Sequence, residues 1–154
     1  MSRIDQKGKR YEFLVERIDV ALQAGFYAEA MSLTYALFED RTYRLLDHLG
    51  IPYKSGDKLF NCLKYLEKHV VDNQAVPATP SGCTSAELIA WLQAEFFSSN
   101  LVSNIDIWRK KRYDVIHDLA KRDIDYSALL SVAQDGRNYF RKYTALIMQL
   151  KKKM

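Results

Sequence analysis

The stretch LLSVAQDGRNYFRKYTALIMQL, residues 129–150, decides the fold. Leu129, Gly136, Tyr143 and Leu150 fall seven apart, and Val132, Phe140 and Ile147 interleave with them. Apolar residues recurring at three and four mark one stripe on an α-helix, of the kind that packs into a bundle seam. Gly136 stands on that stripe. Glycine costs a helix about 1 kcal/mol relative to alanine, so its place there predicts a close helix–helix approach. Ser127 is the expected N-cap, and the helix is expected to reach about Lys151.

The same reading, carried upstream, predicts helices over about 10–23, 26–49, 58–70, 85–97 and 103–121. Tyr11, Leu14, Ile18, Ala21 and Leu22 supply the first apolar face, which Gly25 ends. Ala30, Leu33, Leu37, Leu45 and Leu49 line the second, closed by Gly50 and Pro52. Asp57 is the expected cap of the third helix, and Thr84 with Glu87 forms a capping box for the fourth. Trp91 and Trp108 sit at core spacing. Residues 71–83, with Pro77, Pro80 and Gly82, form one irregular loop. Phe26-Tyr-Ala-Glu-Ala30 has the look of a tetratricopeptide turn, but no second copy follows. The expectation is a single all-α domain over 1–154: an antiparallel helical bundle of four main helices with one or two extra.

Composition narrows the function classes. The chain has 154 residues, 48% of them hydrophobic, enough for a core. No apolar run approaches the roughly 18 residues of a membrane span, and Met1 to Arg10 carries no leader-type apolar core. Cys62 and Cys83 lack a metal-type partner spacing, so free thiols in a reducing cytoplasm are expected. No zinc ligand set, Gly-rich phosphate loop or nucleophile elbow is present, and no cofactor is implied. The net charge is +4. Much of the positive charge is clustered at Arg109, Lys110, Lys111 and Arg112 and at Lys151 to Lys153, a distribution suited to a polyanion.

Within the fifth segment, Arg112-Tyr-Asp-Val-Ile-His117 places an Arg and a His five residues apart. Spacing alone does not select a site, because Arg41 and His48 also lie close in sequence; His48 and His69 fit helix C-termini, where cations are favoured. Position says more. Ile105, Trp108, Val115 and Leu119 form one stripe with Arg112 in its middle. A guanidinium there needs a carboxylate, a phosphate or a wet groove. His117 lies about 140° further round. Between them, Arg109, Tyr113, Ile116 and Ala120 make a face suited to pairing with a second copy about a two-fold axis, although a kinked helix would gather the same residues within one chain. The residue types suit RNA cleavage without metal. The 2′-hydroxyl is RNA's own nucleophile, His exchanges protons near neutral pH, and Arg holds phosphate oxygens. Asp114, three residues before His117, is placed to orient the imidazole.

Arg112 to His117, followed by Ile124-Asp125-Tyr126 and a last long helix, resembles the HEPN domains, whose signature is Arg-x(4–6)-His on a late helix of an α-bundle. The resemblance spans about 26–150, its specific part about 30 residues. It implies a metal-independent endoribonuclease acting as a homodimer in toxin–antitoxin or phage-defence systems, with RNA as substrate and an antitoxin or nucleotidyltransferase as partner. It also implies an acidic residue on an earlier helix facing the motif Arg, for which Glu39 is the candidate. Other members are non-catalytic binding modules, and that alternative stays open. One departure stands out: Tyr113 occupies the position after the Arg where the family has a small polar residue.

Overall fold

A computed structural model describes residues 3–121 and 124–154, with side chains from residue 8 onward. The molecule is an all-α helical bundle. Its helices are α1 (Arg3–Ala24), α2 (Tyr27–Leu49), α3 (Leu59–Glu67), α4 (Ser85–Leu92), α5 (Leu101–Lys121) and α6 (Leu130–Lys153). A π-helical turn, Lys68–Asp72, extends α3, and another, Gln93–Ser98, extends α4. A 3₁₀ turn, Tyr126–Leu129, leads into α6. Among the described residues there is no strand.

Two ends close as their glycines require. Gly25 has φ +82° and Gly50 φ +70°. Behind them Phe26 N–H reaches Ala21 O at 2.8 Å and Ile51 N–H reaches Leu46 O at 2.9 Å. This is the six-to-one closure that a left-handed residue permits after a helix.

Three boundaries differ from expectation. α1 starts at Arg3, well before the apolar period begins, because periodicity marks where packing starts and straight-chain polar residues propagate a helix unaided. Asp57 does not cap α3. Its carboxylate takes the Lys54 N–H at 2.9 Å and the Tyr65 hydroxyl at 3.1 Å, and Glu39 Oε2 accepts the Leu59 N–H instead. Ser127 is not the cap before α6: Asp125 Oδ1 accepts the Ser127 N–H at 3.0 Å. The Thr84 cap is as expected, its Oγ1 accepting from Glu87 N–H.

The chain divides into two compact units. The first comprises Met1–Ala36 and Trp108–Asn138. Its centre is the approach of α5 to α6. Trp108 is buried, and its indole N–H donates to Val132 O at 2.8 Å. The indole lies so close to Gly136 that a β-carbon there would meet ring atoms at 2.4 Å. The glycine on the seam is therefore the space that the tryptophan fills. Arg137 binds Asp19 through Nε at 2.8 Å and Nη2 at 3.3 Å, tying α6 to α1, whose Ile18 and Ala21 are buried.

The second unit comprises Leu37–Ile107 and Tyr139–Met154. Here α2 and α6 run side by side in the same direction. Phe38 meets Phe140 edge to face at 5.3 Å, and one turn later Thr42 meets Tyr143. Phe96, from the π turn after α4, packs edge-on against Tyr143. Leu59, Leu63, Leu66, Leu88 and Leu92 complete the core. Gln93 Nε2 donates to Val70 O at 2.9 Å, joining the two π-helical turns. The 71–83 loop is anchored where Ala78 N–H donates to Leu49 O, at the end of α2.

The proton positions in the Thr42–Tyr143 pair follow from valence. Thr42 Oγ1 has one hydrogen and gives it to Phe38 O at 2.7 Å. The 2.7 Å contact with the fully buried Tyr143 oxygen must then be donated by Tyr143. Burial holds that phenol well above its ordinary pKa, so it stays a donor.

Two stability measurements test these packings. Gly136→Ala is expected to destabilise the protein by about 1–3 kcal/mol in a denaturant titration, because the clash with the indole outweighs alanine's helix preference; an unchanged or raised midpoint contradicts it. Tyr143→Phe is expected to cost about 1 kcal/mol, one buried hydrogen bond with its partner left otherwise satisfied.

Candidate nucleic-acid interface

The second half of α5 presents the candidate site. Arg109 is half-buried, and Lys110 and Lys111 are exposed. Arg112 is half-buried, as its seam position predicts, and its guanidinium carbon lies 4.5 Å above the Tyr35 ring of α2. An aromatic face stabilises a cation there by about 0.5–1 kcal/mol. Tyr35 is a residue that sequence reasoning missed. The available signal was the arginine itself, since a cation on an apolar stripe needs some partner from a facing helix.

His117 is exposed on α5. Tyr113, one turn earlier and 56% exposed, lays its ring against the imidazole, with centroids 4.1 Å apart and planes tilted by 48°. The residue that breaks the motif's pattern is thus the residue in contact with its histidine. Asp114 is exposed, and among the described residues no hydrogen bond joins it to His117. The imidazole's contact is with an aromatic neighbour, not with the expected carboxylate. Glu39 belongs to the second unit, where its carboxylate receives the first amide of α3.

The link after α5 is built around Tyr126, which sequence reasoning placed beside the motif without a role. Its ring stacks on Tyr27 at 5.5 Å, and its hydroxyl accepts the Ala28 N–H at 3.0 Å. It thereby satisfies one of the amides that the start of α2 leaves without an intrahelical partner. The Ser127 N–H holds the Asp125 carboxyl below its ordinary pKa. Together these contacts set where the chain turns between the motif helix and α6.

No group of His, Cys, Asp and Glu side chains among the described residues could hold a metal ion. Cys62 is buried, and burial pushes its thiol up to about 11, too high for a nucleophile near neutral pH. The His69 Nδ1 lies 3.0 Å from Tyr65 O, within its own helix. Among the described residues, no helix is long and apolar enough to cross a membrane.

Comparison of the chain with family models, curated proteins and solved structures finds no match.

The ring contact has a spectroscopic consequence. Tyr113→Ala is expected to shift the His117 imidazole proton resonances, as the ring current of the phenol is lost. Stability should change by no more than about 0.5 kcal/mol, since both side chains are on the surface. Unmoved His117 resonances would show that the two rings do not meet in solution.

Proposed function

We propose that this chain is a metal-independent endoribonuclease of the HEPN type. The carrying observation is a half-buried Arg112, braced on Tyr35, five residues before an exposed His117 on a helix that also bears Arg109, Lys110 and Lys111. In the reaction the 2′-hydroxyl oxygen attacks the adjacent phosphorus and loses its proton, while the P–O5′ bond breaks and O5′ is protonated. The products are a 2′,3′-cyclic phosphate and a 5′-hydroxyl. His117 is the proton-exchanging group. Arg112 holds the non-bridging oxygens as negative charge accumulates. The three preceding cations draw the strand to the helix by screening its phosphates.

A homodimer completes the site in this reading. One base and one acid are needed at the same time, and a two-fold axis through the 109–120 face brings two copies of His117 to one strand. The resemblance adds a cytoplasmic toxin or phage-defence role, with an antitoxin or nucleotidyltransferase as partner. Growth arrest on expression, lost in His117→Ala, is the corresponding cellular result.

Labelled RNA incubated with purified protein and EDTA tests the chemistry. Cleavage is expected to persist in chelator and to fall by about 10²–10⁴-fold in His117→Ala. Cleavage abolished by EDTA, or unchanged in His117→Ala, removes the proposal. A second reading, a non-catalytic RNA- or protein-binding module, draws on the Tyr113–His117 contact, which covers part of the imidazole. Under it the wild-type protein binds RNA without turnover, and Arg112→Ala weakens binding alone.

A further inference from the structure

We propose that the cavity at the end of α2, walled by Tyr43, Asp47 and Tyr53, is a binding site for a guanidinium group. Its volume is about 670 Å³, within the range of small-ligand sites. It lies wholly in the second unit and does not rest on the Arg112–His117 reading. Tyr43, Asp47 and Gly50 follow at spacings of four and three, so they form one stripe along the end of α2. The segment after Gly50 turns back and brings Tyr53, Ser55 and Gly56 to the same cavity. The Tyr53 ring stacks on Tyr43, with centroids 5.0 Å apart and planes 18° from parallel. Further ties hold the segment in place. The Tyr43 hydroxyl donates to Asp57 O, and the Asp57 carboxylate accepts the Lys54 N–H at 2.9 Å and the Tyr65 hydroxyl at 3.1 Å. The cavity is thus shaped before a ligand arrives, which spares the ligand the cost of ordering it.

The chemistry of the walls favours a flat cation. Among the residues lining the cavity, Asp47 alone carries a formal charge, although the whole chain has a net charge of +4. Arg44 pairs with Asp40 at 3.4 Å and is not part of the lining. The α2 C-terminus ends at the cavity, and a helix end of that kind adds about half a negative charge. The two tyrosine rings add faces that attract cations. Burial and a hydrogen bond to Asp47 hold the Tyr53 phenol above its ordinary pKa, so it stays uncharged. A carboxylate has about four acceptor positions, so that bond leaves room for a two-pronged donor. A guanidinium suits both kinds of wall. It is planar and lies flat on an aromatic ring, and its paired N–H groups meet a carboxylate side on. An ammonium is a strongly hydrated point charge and gains less from a flat aromatic surface. A free alkylguanidine and the arginine side chain of a peptide both carry the group.

Gly50 and Gly56 report occupancy in the intact chain, because both line the cavity. Their amide signals are followed by NMR. The additions are ethylguanidinium, the peptide acetyl-Gly-Arg-Gly-amide, ethylammonium or sodium chloride, at matched ionic strength. The expected result is a saturable shift of both signals with a guanidinium probe, roughly fivefold or more weaker binding of ethylammonium, and no saturable shift with chloride. Tighter binding of ethylguanidinium identifies a small-molecule site, tighter binding of the peptide a site for a partner's arginine, and equal binding a site that reads the group alone. Asp47 is exposed, so Asp47→Asn is expected to leave the fold intact and to weaken the effective probe roughly tenfold. The proposal fails if neither guanidinium probe moves Gly50 and Gly56 saturably, if ethylammonium binds as tightly, or if Asp47→Asn binds as the wild type does. The first two of these outcomes are read in wild-type protein and do not depend on any variant folding.

Discussion

One buried hydroxyl sets the arrangement of the second unit. Tyr143 is fully buried on α6 and donates to Thr42 on α2, whose own proton is committed to the Phe38 carbonyl. Neither oxygen has water to turn to, so the two helices are held where the oxygens meet. Helix pairs packed by apolar side chains alone tolerate sliding, because leucine against leucine is nearly as good one turn along. A paired polar group in an apolar seam is not forgiving in that way. The rings of Phe38, Phe140 and Phe96 close round it and exclude solvent. Everything further along the pair inherits this register.

The first unit uses shape in place of a hydroxyl. Trp108 lies in the space that Gly136 leaves, and its one polar atom is satisfied by Val132 O. This fixes α5 where it enters the unit. The basic run and the Arg–His pair follow within the next nine residues on a continuous helix, so their directions are set by Trp108. Tyr35 then takes the arginine on its face. The side chains with chemical potential are carried on a braced helix, not on a loop.

Much of this was legible in the chain. The seam on α6, the glycine within it, the stop at Gly25 and the Thr84 cap are local signals, and each is where its pattern put it. What misled were positions at which a distant residue supplies what a neighbour was expected to supply. Asp57 looks like a cap for α3, yet Glu39, 20 residues away, takes the Leu59 amide. Periodicity could not show the parallel course of α2 and α6, because it describes one helix at a time. Arg112 could be recognised as needing a partner, but the choice between a carboxylate and an aromatic ring depends on which α2 residue lies opposite. Tyr113 was visible as a departure from a pattern, while its contact with His117 required side-chain geometry.

The parallel pairing also bears on how the chain comes to be folded. Thr42 and Tyr143 are 101 residues apart, so their contact closes a long loop and belongs to the slower class of folding events. During synthesis α2 emerges early and must wait for α6 before Phe38 and Thr42 have their partners. Until then the apolar side of α2 is an exposed, sticky surface, open to any other apolar segment nearby. Vulnerability to misassembly is thus concentrated in the interval before the last helix arrives.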